Sequence, residues 1–297
     1  MILVTCMCLI LLRHTCVPKA NASQVRCFWE QYRKGGYPTI GPEDAPKNPS
    51  EFWHIRNGLR MLGDELKLFK EEVVERLEND PVMIYRKHEI DVVWQFDGDK
   101  KSLDNWVMSA DSDYGEGYSN CSLQLTKTGK GLFSGYLDKR IPKTGDVNRA
   151  GYCNIKTVRA RRSFKREICY DWNAYNHIVM RVRGDGRSYL LNLSTSGYFD
   201  VTWNDTYHYV LYTRGGPYWQ YVKIPFSKFF FSSKGRVQDK QEPIPLDSIV
   251  NFGITAGDKI TGPFSLEIDY VGLIYDENHI EEFAYEMYKT DEYIAGH

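Results

Sequence analysis

The sequence predicts an all-β protein, a two-sheet sandwich with an amphipathic helix in front of it. Three observations support this fold class. From Ile90 onward, apolar residues recur at every second position in short runs, which is the period of a half-buried strand. Turns rich in glycine separate these runs, and no helical pattern lies between them, as in β-sandwiches. Before Ile90, one long run repeats its apolar residues at helical spacing instead.

Residues 1–27 are predicted to be a targeting leader, and residues 28–49 a flexible linker. Met1–Leu12 is apolar, and the first acidic residue of the chain is Glu30. An apolar run followed by the small residues of Ala20–Ala22 suits a secretory signal peptide, whereas a basic leader without acids suits an organelle presequence. Composition leaves both interpretations open. The linker is rich in Gly and Pro, which disfavour regular structure.

Residues 50–80 are predicted to form the amphipathic helix. Ser50 is a suitable N-cap, and Asn79-Asp-Pro81 ends the pattern. The apolar residues recur in steps of three and four, a narrow stripe with coiled-coil spacing. Such a stripe either packs on the sandwich of its own chain or is presented to another protein. The candidate partner-binding residues are Phe52, Ile55, Leu59, Leu62, Leu66 and Phe69, and the stripe continues to Val73 and Leu77.

Residues 89–276 are predicted to form the sandwich, and residues 277–297 a C-terminal tail. Two pairs of predicted strands are separated by short glycine turns, which are hairpin signals. The first pair is Ile178–Arg183 and Ser188–Ser194, and the second pair is Tyr209–Thr213 and Tyr218–Ile224.

The last predicted strand, within Gly262–Asp276, changes its pattern midway. Its apolar residues from Phe264 to Tyr270 lie at even positions, and those from Val271 to Tyr275 lie at odd positions. We interpret this as a strand that is open on one face at its start and covered on both faces at its end. The helix of residues 52–77 is a candidate cover.

Bulk composition excludes several classes of protein. Hydrophobic residues make up 42% of the 297 residues and charged residues 26%, as in ordinary globular proteins. The formal net charge of −1 provides no overall field that would attract nucleic acid. No segment reaches the roughly 18–20 apolar residues of a transmembrane span. Beyond the leader, Cys121, Cys153 and Cys169 form no CxxC motif and are predicted to be reduced thiols.

No motif marks a catalytic, cofactor or metal site, and we predict that none is present. The seven His residues lack the local spacing of zinc ligands. Nucleophile-elbow, Walker and dinucleotide-binding motifs are also missing from the sequence. Asp111–Gly117 is similar to a calcium loop but has Glu116 where that loop needs glycine. A solvated turn is the simpler interpretation, and calcium stays open.

Lys156–Glu167 contains six basic residues and one acidic residue. It is either a charged loop or a patch for an acidic partner or anionic lipid headgroups. Nucleic acid is not favoured, because only Phe164 interrupts the charge and no stacking platform is evident. The candidate partner-binding residues of this segment are Arg159, Arg161, Arg162, Lys165 and Arg166.

Three longer motifs carry a family resemblance. They are "WQFDG" at Trp94–Gly98, "YWQYVKIPFSKF" at Tyr218–Phe229 and "NFGITAGDKITGPFSLEIDYVGLIYD" at Asn251–Asp276. From about Glu89 to Asp276 the chain resembles the complex I intermediate-associated protein family, which contains mitochondrial NADH:ubiquinone oxidoreductase assembly factors. The resemblance implies a galactose-binding-like jelly-roll and no cofactor or catalytic residues.

The resemblance also implies a location and partners. The protein would be in the mitochondrial matrix, associated peripherally with the inner membrane and without a transmembrane span. It would bind early membrane-arm intermediates of complex I. It would do so within an assembly complex that includes an acyl-CoA-dehydrogenase-like factor and a signalling-adaptor-like factor.

The main functional hypothesis is therefore a non-enzymatic assembly factor, or chaperone, for complex I. The alternative is a secretory carbohydrate-binding module, which the leader and the glycosylation sequons at Asn21, Asn120, Asn192 and Asn204 support. In that alternative, the aromatic residues of Gly216–Phe231 would stack on sugars, whereas core packing or protein contact would otherwise explain them. A third hypothesis, a hydrolase that uses exposed carboxylates, lacks any supporting motif.

Overall fold

The computed structural model describes residues 51–78, 89–143, 147, 149–196, 205–233 and 235–285. The predicted leader and linker lie outside these ranges. Helix α1 spans Glu51–Glu78, as the apolar spacing predicts. A one-turn helix, α2, spans Lys101–Asp104.

Apart from short 3-10 turns, the other described elements are strands. In chain order they are β1 Asp91–Gln95, β2 Trp106–Ala110, β3 Asn120–Leu125, β4 Gly131–Leu137, β5 Cys153–Thr157, β6 Arg161–Arg162, β7 Arg166–Glu167, β8 His177–Gly184, β9 Ser188–Thr195, β10 Asp205–Tyr212, β11 Gln220–Pro225, β12 Phe230–Ser233, β13 Arg236–Val237, β14 Ile249–Ala256 and β15 Gly262–Ile274.

Two antiparallel sheets face each other, and the all-β sandwich is confirmed. The six-stranded sheet has the order β11-β8-β15-β4-β3, with β1 also paired to β15. The seven-stranded sheet has the order β13-β12-β10-β9-β14-β5-β2. Strands β6 and β7 pair only with each other, as a small hairpin outside both sheets.

Aromatic side chains join the two sheets through the core. Trp94 of β1 stacks on Phe252 of β14, with ring centroids 5.8 Å apart. Trp106 of β2 stacks on Phe96, at 5.7 Å between centroids. All four rings are buried, and aromatic residues contribute much of the apolar area that a core removes from water. The "WQFDG" motif thus supplies core packing.

The two predicted hairpins are wrong, although all four of their strands exist. Strands β8 and β11 belong to the six-stranded sheet, whereas β9 and β10 belong to the seven-stranded sheet. Each glycine turn therefore carries the chain from one sheet to the other. The turns lie side by side, since a Cβ on Gly186 would be 3.5 Å from the Cα of Gly215. Gly186 has a φ of +93°, which glycine adopts at little cost.

A β-bulge explains the change of parity in β15, and the end of the strand is buried on both faces as interpreted, since the four residues Val271–Ile274 are all buried. In the pairing with β8, the register shifts between Ile268 and Tyr270. One extra residue reverses which positions face inward. Val271 and Leu273 therefore enter the same core as Ile268, while Tyr275 is exposed. Helix α1 makes its main contacts elsewhere.

The extra residue of the bulge is Asp269, whose carboxylate is buried and paired. It accepts a hydrogen bond from Arg181 Nη1 at 2.7 Å and forms a second ion pair with Lys130. Its carbonyl accepts a hydrogen bond from the backbone N–H of Phe96 at 3.0 Å. A buried carboxylate is tolerated only when its charge is matched in this way.

Candidate protein-interaction surface

Helix α1 rests on the β6–β7 hairpin through one face. Its contacting residues are Glu65, Phe69 and Glu72, four and three positions apart. Residues at this spacing lie above one another on a helix. They meet the segment that joins β6 to β7, which contains the 3-10 turn Ser163–Lys165.

Two glutamates hold the helix by accepting backbone and side-chain hydrogen bonds. Glu65 accepts from the backbone N–H of Phe164 at 2.7 Å and from Arg161 Nη1 at 3.3 Å. Glu72 accepts from the backbone N–H of Ser163 and from Arg166 Nη2. Each carboxylate therefore combines one backbone donor with one guanidinium, and such charge-assisted bonds are stronger than neutral ones.

The environment of Glu72 favours its charged form. Desolvation raises the pKa of this carboxyl, but the hydrogen bonds from Ser163 and the charge of Arg166 together outweigh it and lower the pKa below its usual value. Since the pKa is lower in the docked state, the contact stabilises docking at pH values above the usual pKa of a carboxyl group. That contribution is lost as the pH falls through the lowered pKa.

Phe164 contributes both a ring and an amide to this contact. Its φ of 57° and ψ of 33° place it in the left-handed region, which is uncommon for a bulky residue. In that conformation its N–H donates to Glu65, and its ring lies 5.9 Å from the ring of Phe69. An unfavourable backbone conformation is kept only where surrounding contacts compensate for it, and the docked helix provides such contacts.

The basic segment is partly neutralised within the chain. Arg161 and Arg166 pair with the helix, and Arg159 pairs with Glu167 at 2.7 Å. Arg162 is half-buried in β6, and Lys165 ends the 3-10 turn. Three of the five predicted basic contact residues are thus committed to internal ion pairs. That this segment also binds a partner stays a prediction.

The apolar stripe of α1 lies beside the face that contacts the hairpin, and it is exposed. At 3.6 residues per turn, its centre lies about 90° around the helix axis from the docking face, and only Phe69 belongs to both. Phe52, Leu59 and Leu77 are 75%, 64% and 81% exposed. The remaining exposed members are Ile55, Leu62, Leu66, Phe69 and Val73. Among the described residues, no helix is long and apolar enough to cross a membrane.

A continuous exposed apolar stripe is characteristic of a binding surface, since single apolar residues are common on protein surfaces but contiguous patches are not. The sequence predicts these residues correctly as a stripe. It does not identify Glu65 and Glu72 as the residues that fix the helix. The available signal was two acids seven positions apart beside the stripe, together with a basic segment elsewhere in the chain.

In the predicted calcium-like loop, the first carboxylate, that of Asp111, accepts hydrogen bonds from other parts of the fold. The Asp111 carboxylate is fully buried and accepts from the backbone N–H groups of Ser119 at 2.8 Å and Gly151 at 2.7 Å. Ser119 Oγ also donates to it, at 3.1 Å. Within the described ranges, no group of three His, Cys, Asp or Glu side chains is arranged to hold a metal ion.

The aromatic segment Gly216–Phe231 divides between core and surface. Phe226 and Phe229 are buried, whereas Tyr218 and Tyr221 are exposed. Trp219 lies on the outer face of the six-stranded sheet, where two guanidinium carbons, those of Arg181 and Arg183, each lie 5.1 Å from its ring centroid. Both distances are typical of cation–π contacts.

One glycosylation sequon lies within a hydrogen-bonded network. Asn192 of β9 donates from Nδ2 to Thr255 Oγ1 at 2.7 Å, and its Oδ1 accepts from His208 Nδ1 at 2.6 Å. Both ends of the amide are therefore used within the seven-stranded sheet. Asn120 is exposed at the start of β3, and the other two sequon asparagines, Asn21 and Asn204, lie outside the described residues.

Comparison with known proteins identifies relatives over most of the chain. The family model described as "Complex I intermediate-associated protein 30 (CIA30)" matches residues 94–268. A protein of Drosophila melanogaster, "Complex I intermediate-associated protein 30, mitochondrial", is 55% identical over 273 residues, covering 91% of this chain and 90% of its own. Its namesake in Mus musculus is 42% identical over 227 residues, covering 75% and 69%.

Among solved structures, the family 11 carbohydrate-binding module of the cellulase Lic26A-Cel5E of Clostridium thermocellum is similar. The identity is 18%, the TM-score is 0.44, and the match covers 64% of this chain and 98% of that one. A likeness at this level carries no information about ligands. The sequence matches are stronger evidence, because the family model spans more than half of the chain and the Drosophila relative covers nearly all of it. This chain belongs to the complex I intermediate-associated protein 30 family.

Proposed function

We propose that this protein is a non-enzymatic assembly factor for mitochondrial respiratory complex I. The names of its relatives associate those proteins with intermediates of complex I and with the mitochondrion. An assembly factor must hold an incomplete complex and then release it when the next subunit arrives. It therefore needs a surface that covers apolar area reversibly, and interfaces of this kind have an apolar core with a polar rim.

The observation that carries the proposal is the exposed stripe of α1 on a helix of fixed orientation. The hairpin holds the helix by Glu65, Phe69 and Glu72 and leaves the rest of the stripe exposed. A helix that used its stripe to pack on its own sandwich would have none to offer. Here the helix is attached mainly through the carboxylates of Glu65 and Glu72 beside the stripe, so most of the stripe can cover apolar area of a partner.

The buried carboxylates support a role without catalysis. Among the described residues, Asp111 and Asp269 are the carboxylates most removed from water, and donors of the fold pair with both. A general acid or base must instead be free to exchange a proton with a substrate. In the proposal, these groups stabilise the sandwich and the protein acts by binding.

The finer parts of the proposal concern place and partners. The protein would work in the matrix, associated peripherally with the inner membrane, on early membrane-arm intermediates. It would belong to an assembly complex with an acyl-CoA-dehydrogenase-like factor and a signalling-adaptor-like factor. The family resemblance supports these statements, and a surface suited to apolar partners is consistent with them.

Knockout cells test the proposal directly. On a native gel, cells without this protein should contain little assembled complex I, while the other respiratory complexes persist. Re-expression of the full chain should restore complex I. Normal complex I in the knockout would overturn the proposal. A glycan shift of the tagged protein after glycosidase treatment would instead favour the secretory alternative.

A further inference from the structure

We infer that the stripe of α1 binds an amphipathic helix of a partner protein whose own apolar stripe is flanked by acidic residues. The inference rests on the proposed function, because it specifies the partner of the same surface. Three features of α1 lead to it: the heptad spacing of the stripe, the occupation of one flank by the hairpin, and the charge of the other flank.

The spacing of the stripe fits a helix as the occupant. Taking Phe52 as position a and Ile55 as position d, the following apolar residues continue the a and d positions as far as Val73. Side chains at a and d insert between those of a facing helix with the same repeat. A helix of 28 residues is about 42 Å long, so the stripe offers a long, narrow seam and not a compact pocket.

One flank of the seam is already occupied. Glu65 and Glu72 are both at position g of this repeat and bind the hairpin. Each is already paired with a guanidinium of the hairpin, Glu65 with Arg161 and Glu72 with Arg166. This flank therefore has little capacity to select a partner by charge.

The opposite flank is basic and exposed. Arg56 and Lys70 are at position e, and both lie in the solvent beside the stripe. Charges at the e and g positions determine which helices pair, because like charges across the seam repel and opposite charges attract. A partner helix that meets Arg56 and Lys70 should therefore carry Asp or Glu next to its apolar stripe.

A second copy of this chain is a poorer occupant. In an antiparallel pair, the e positions of the two helices face each other, which brings Arg56 and Lys70 against the same residues of the other copy. In a parallel pair, these residues would face the g positions, where Glu65 and Glu72 are held by the hairpin. An anionic membrane is also less suited, since the rest of the helix has more acidic than basic residues: Glu51, Asp64, Glu71, Glu75 and Glu78 against Arg60, Lys67 and Arg76.

Peptide binding to the full-length protein tests the inference. The probe is a labelled synthetic helix as long as α1, with Leu and Ile at a and d and Glu at the flanking positions. Two control peptides carry Lys at those positions, or keep Glu but have their apolar residues moved off the stripe. Fluorescence anisotropy should show the Glu peptide binding about tenfold more tightly than the Lys peptide, and no binding of the displaced-stripe peptide.

Charge reversal supplies the matched variants. Arg56→Glu with Lys70→Glu should reverse the preference between the two peptides. Arg60→Glu with Lys67→Glu makes the same change in charge on the same helix, away from the stripe. This variant should keep the preference of the wild type for the Glu peptide. Equal binding of both peptides, or an equal effect of the two double variants, would overturn the inference.

Two further measurements separate the other occupants. A dimer in light scattering that Leu59→Ser with Leu66→Ser dissociates would identify a second copy and overturn the inference. Stripe-dependent sedimentation with phosphatidylcholine vesicles that contain phosphatidylserine, without peptide binding, would identify a membrane as the occupant and overturn the inference.

Complementation of the knockout cells distinguishes this inference from the proposed function. If the Arg56→Glu, Lys70→Glu protein fully restores complex I in the knockout, this inference fails while the proposed function stands. If the knockout has normal complex I, the proposed function fails whatever the peptides do.

Discussion

The ring of Phe69 on helix α1 lies 5.9 Å from the ring of Phe164 on the β6–β7 segment. Both rings are about half exposed, so each reaches across the junction between helix and sandwich without entering the core. Carboxylates of Glu65 and Glu72 lie on either side of this ring pair along the helix. The three contacts together determine which way the stripe of α1 faces.

Removing the two carboxylates should release the helix from the hairpin. In Glu65→Ala with Glu72→Ala, the backbone N–H groups of Ser163 and Phe164 lose their acceptors. We expect their hydrogen exchange to accelerate about tenfold or more, since a hydrogen bond to a charged group is worth about 1.5–3 kcal/mol. Exchange in the sandwich core should not change. Mass-spectrometric hydrogen exchange measures both.

Glu71→Ala with Glu75→Ala is the matched control for that experiment, because these acids are exposed on the same helix, away from the hairpin. It should leave exchange in the 163–164 region as in the wild type. The described docking would be contradicted if both double variants gave the same protection there.

The helix was predictable from sequence, but its docking was not. The spacing of the apolar residues from Phe52 to Leu77 predicts a helix, and this spacing can be read from consecutive residues alone. The contacts of Glu65 with Phe164 join residues that are 99 positions apart, and nothing in the local pattern of either segment specifies the other. The sequence therefore left open whether the basic segment is a charged loop or a patch for a partner, and it did not indicate that the helix binds part of it.

Asp269 is expected to be a stability determinant of the six-stranded sheet. Its side chain is 4% exposed, and its loss would leave Lys130 and Arg181 without their carboxylate. We expect Asp269→Ala to lower the free energy of unfolding by about 2–4 kcal/mol. Urea denaturation followed by tryptophan fluorescence measures the change.

Glu267→Ala provides the comparison for Asp269. Glu267 pairs with Arg183 at 2.6 Å, but its side chain is more exposed, at 17%, and Arg183 keeps its contact with Trp219. We expect a loss of about 0.5–1 kcal/mol, as for a surface ion pair. A loss as large as that of Asp269→Ala would mean that the bulge carboxylate has no special role.

The same strand shows where pattern reasoning fails. Alternation in β15 is a correct indication of a strand whose end is buried on both faces, but the sequence does not show that a single inserted residue at a bulge reverses the parity. The glycine turns after β8 and β10 led to the wrong hairpin predictions. Turn chemistry indicates that the chain reverses, but not whether the next strand returns to the same sheet or crosses to the other.

Acidic pH should destabilise the protein partly through His208. Burial lowers the pKa of this histidine to about 4, whereas its unfolded value is about 6.5. Between these pH values, the unfolded chain therefore binds more protons than the folded protein. The contribution of His208 to folding stability is fully present above pH 6.5 and is lost as the pH falls toward 4.

His208→Gln isolates this effect, because other titrating groups, including His177, are common to both proteins. Between pH 7 and pH 5, the wild type should lose about 1–2 kcal/mol more stability than the variant. Urea denaturation at the two pH values measures this difference. Equal losses would show that His208 is not held in its neutral form.

The central claim is that the exposed stripe of α1 holds the partner during assembly of complex I. The most direct test is to express Leu59→Ser with Leu66→Ser in knockout cells and to measure assembled complex I on a native gel. Leu68→Ser with Val74→Ser is the control, because these exposed apolar residues lie on the same helix outside the stripe. Both proteins should melt like the wild type. We predict that the control restores complex I and that the stripe variant leaves it at the knockout level. Full restoration by the stripe variant would contradict the claim.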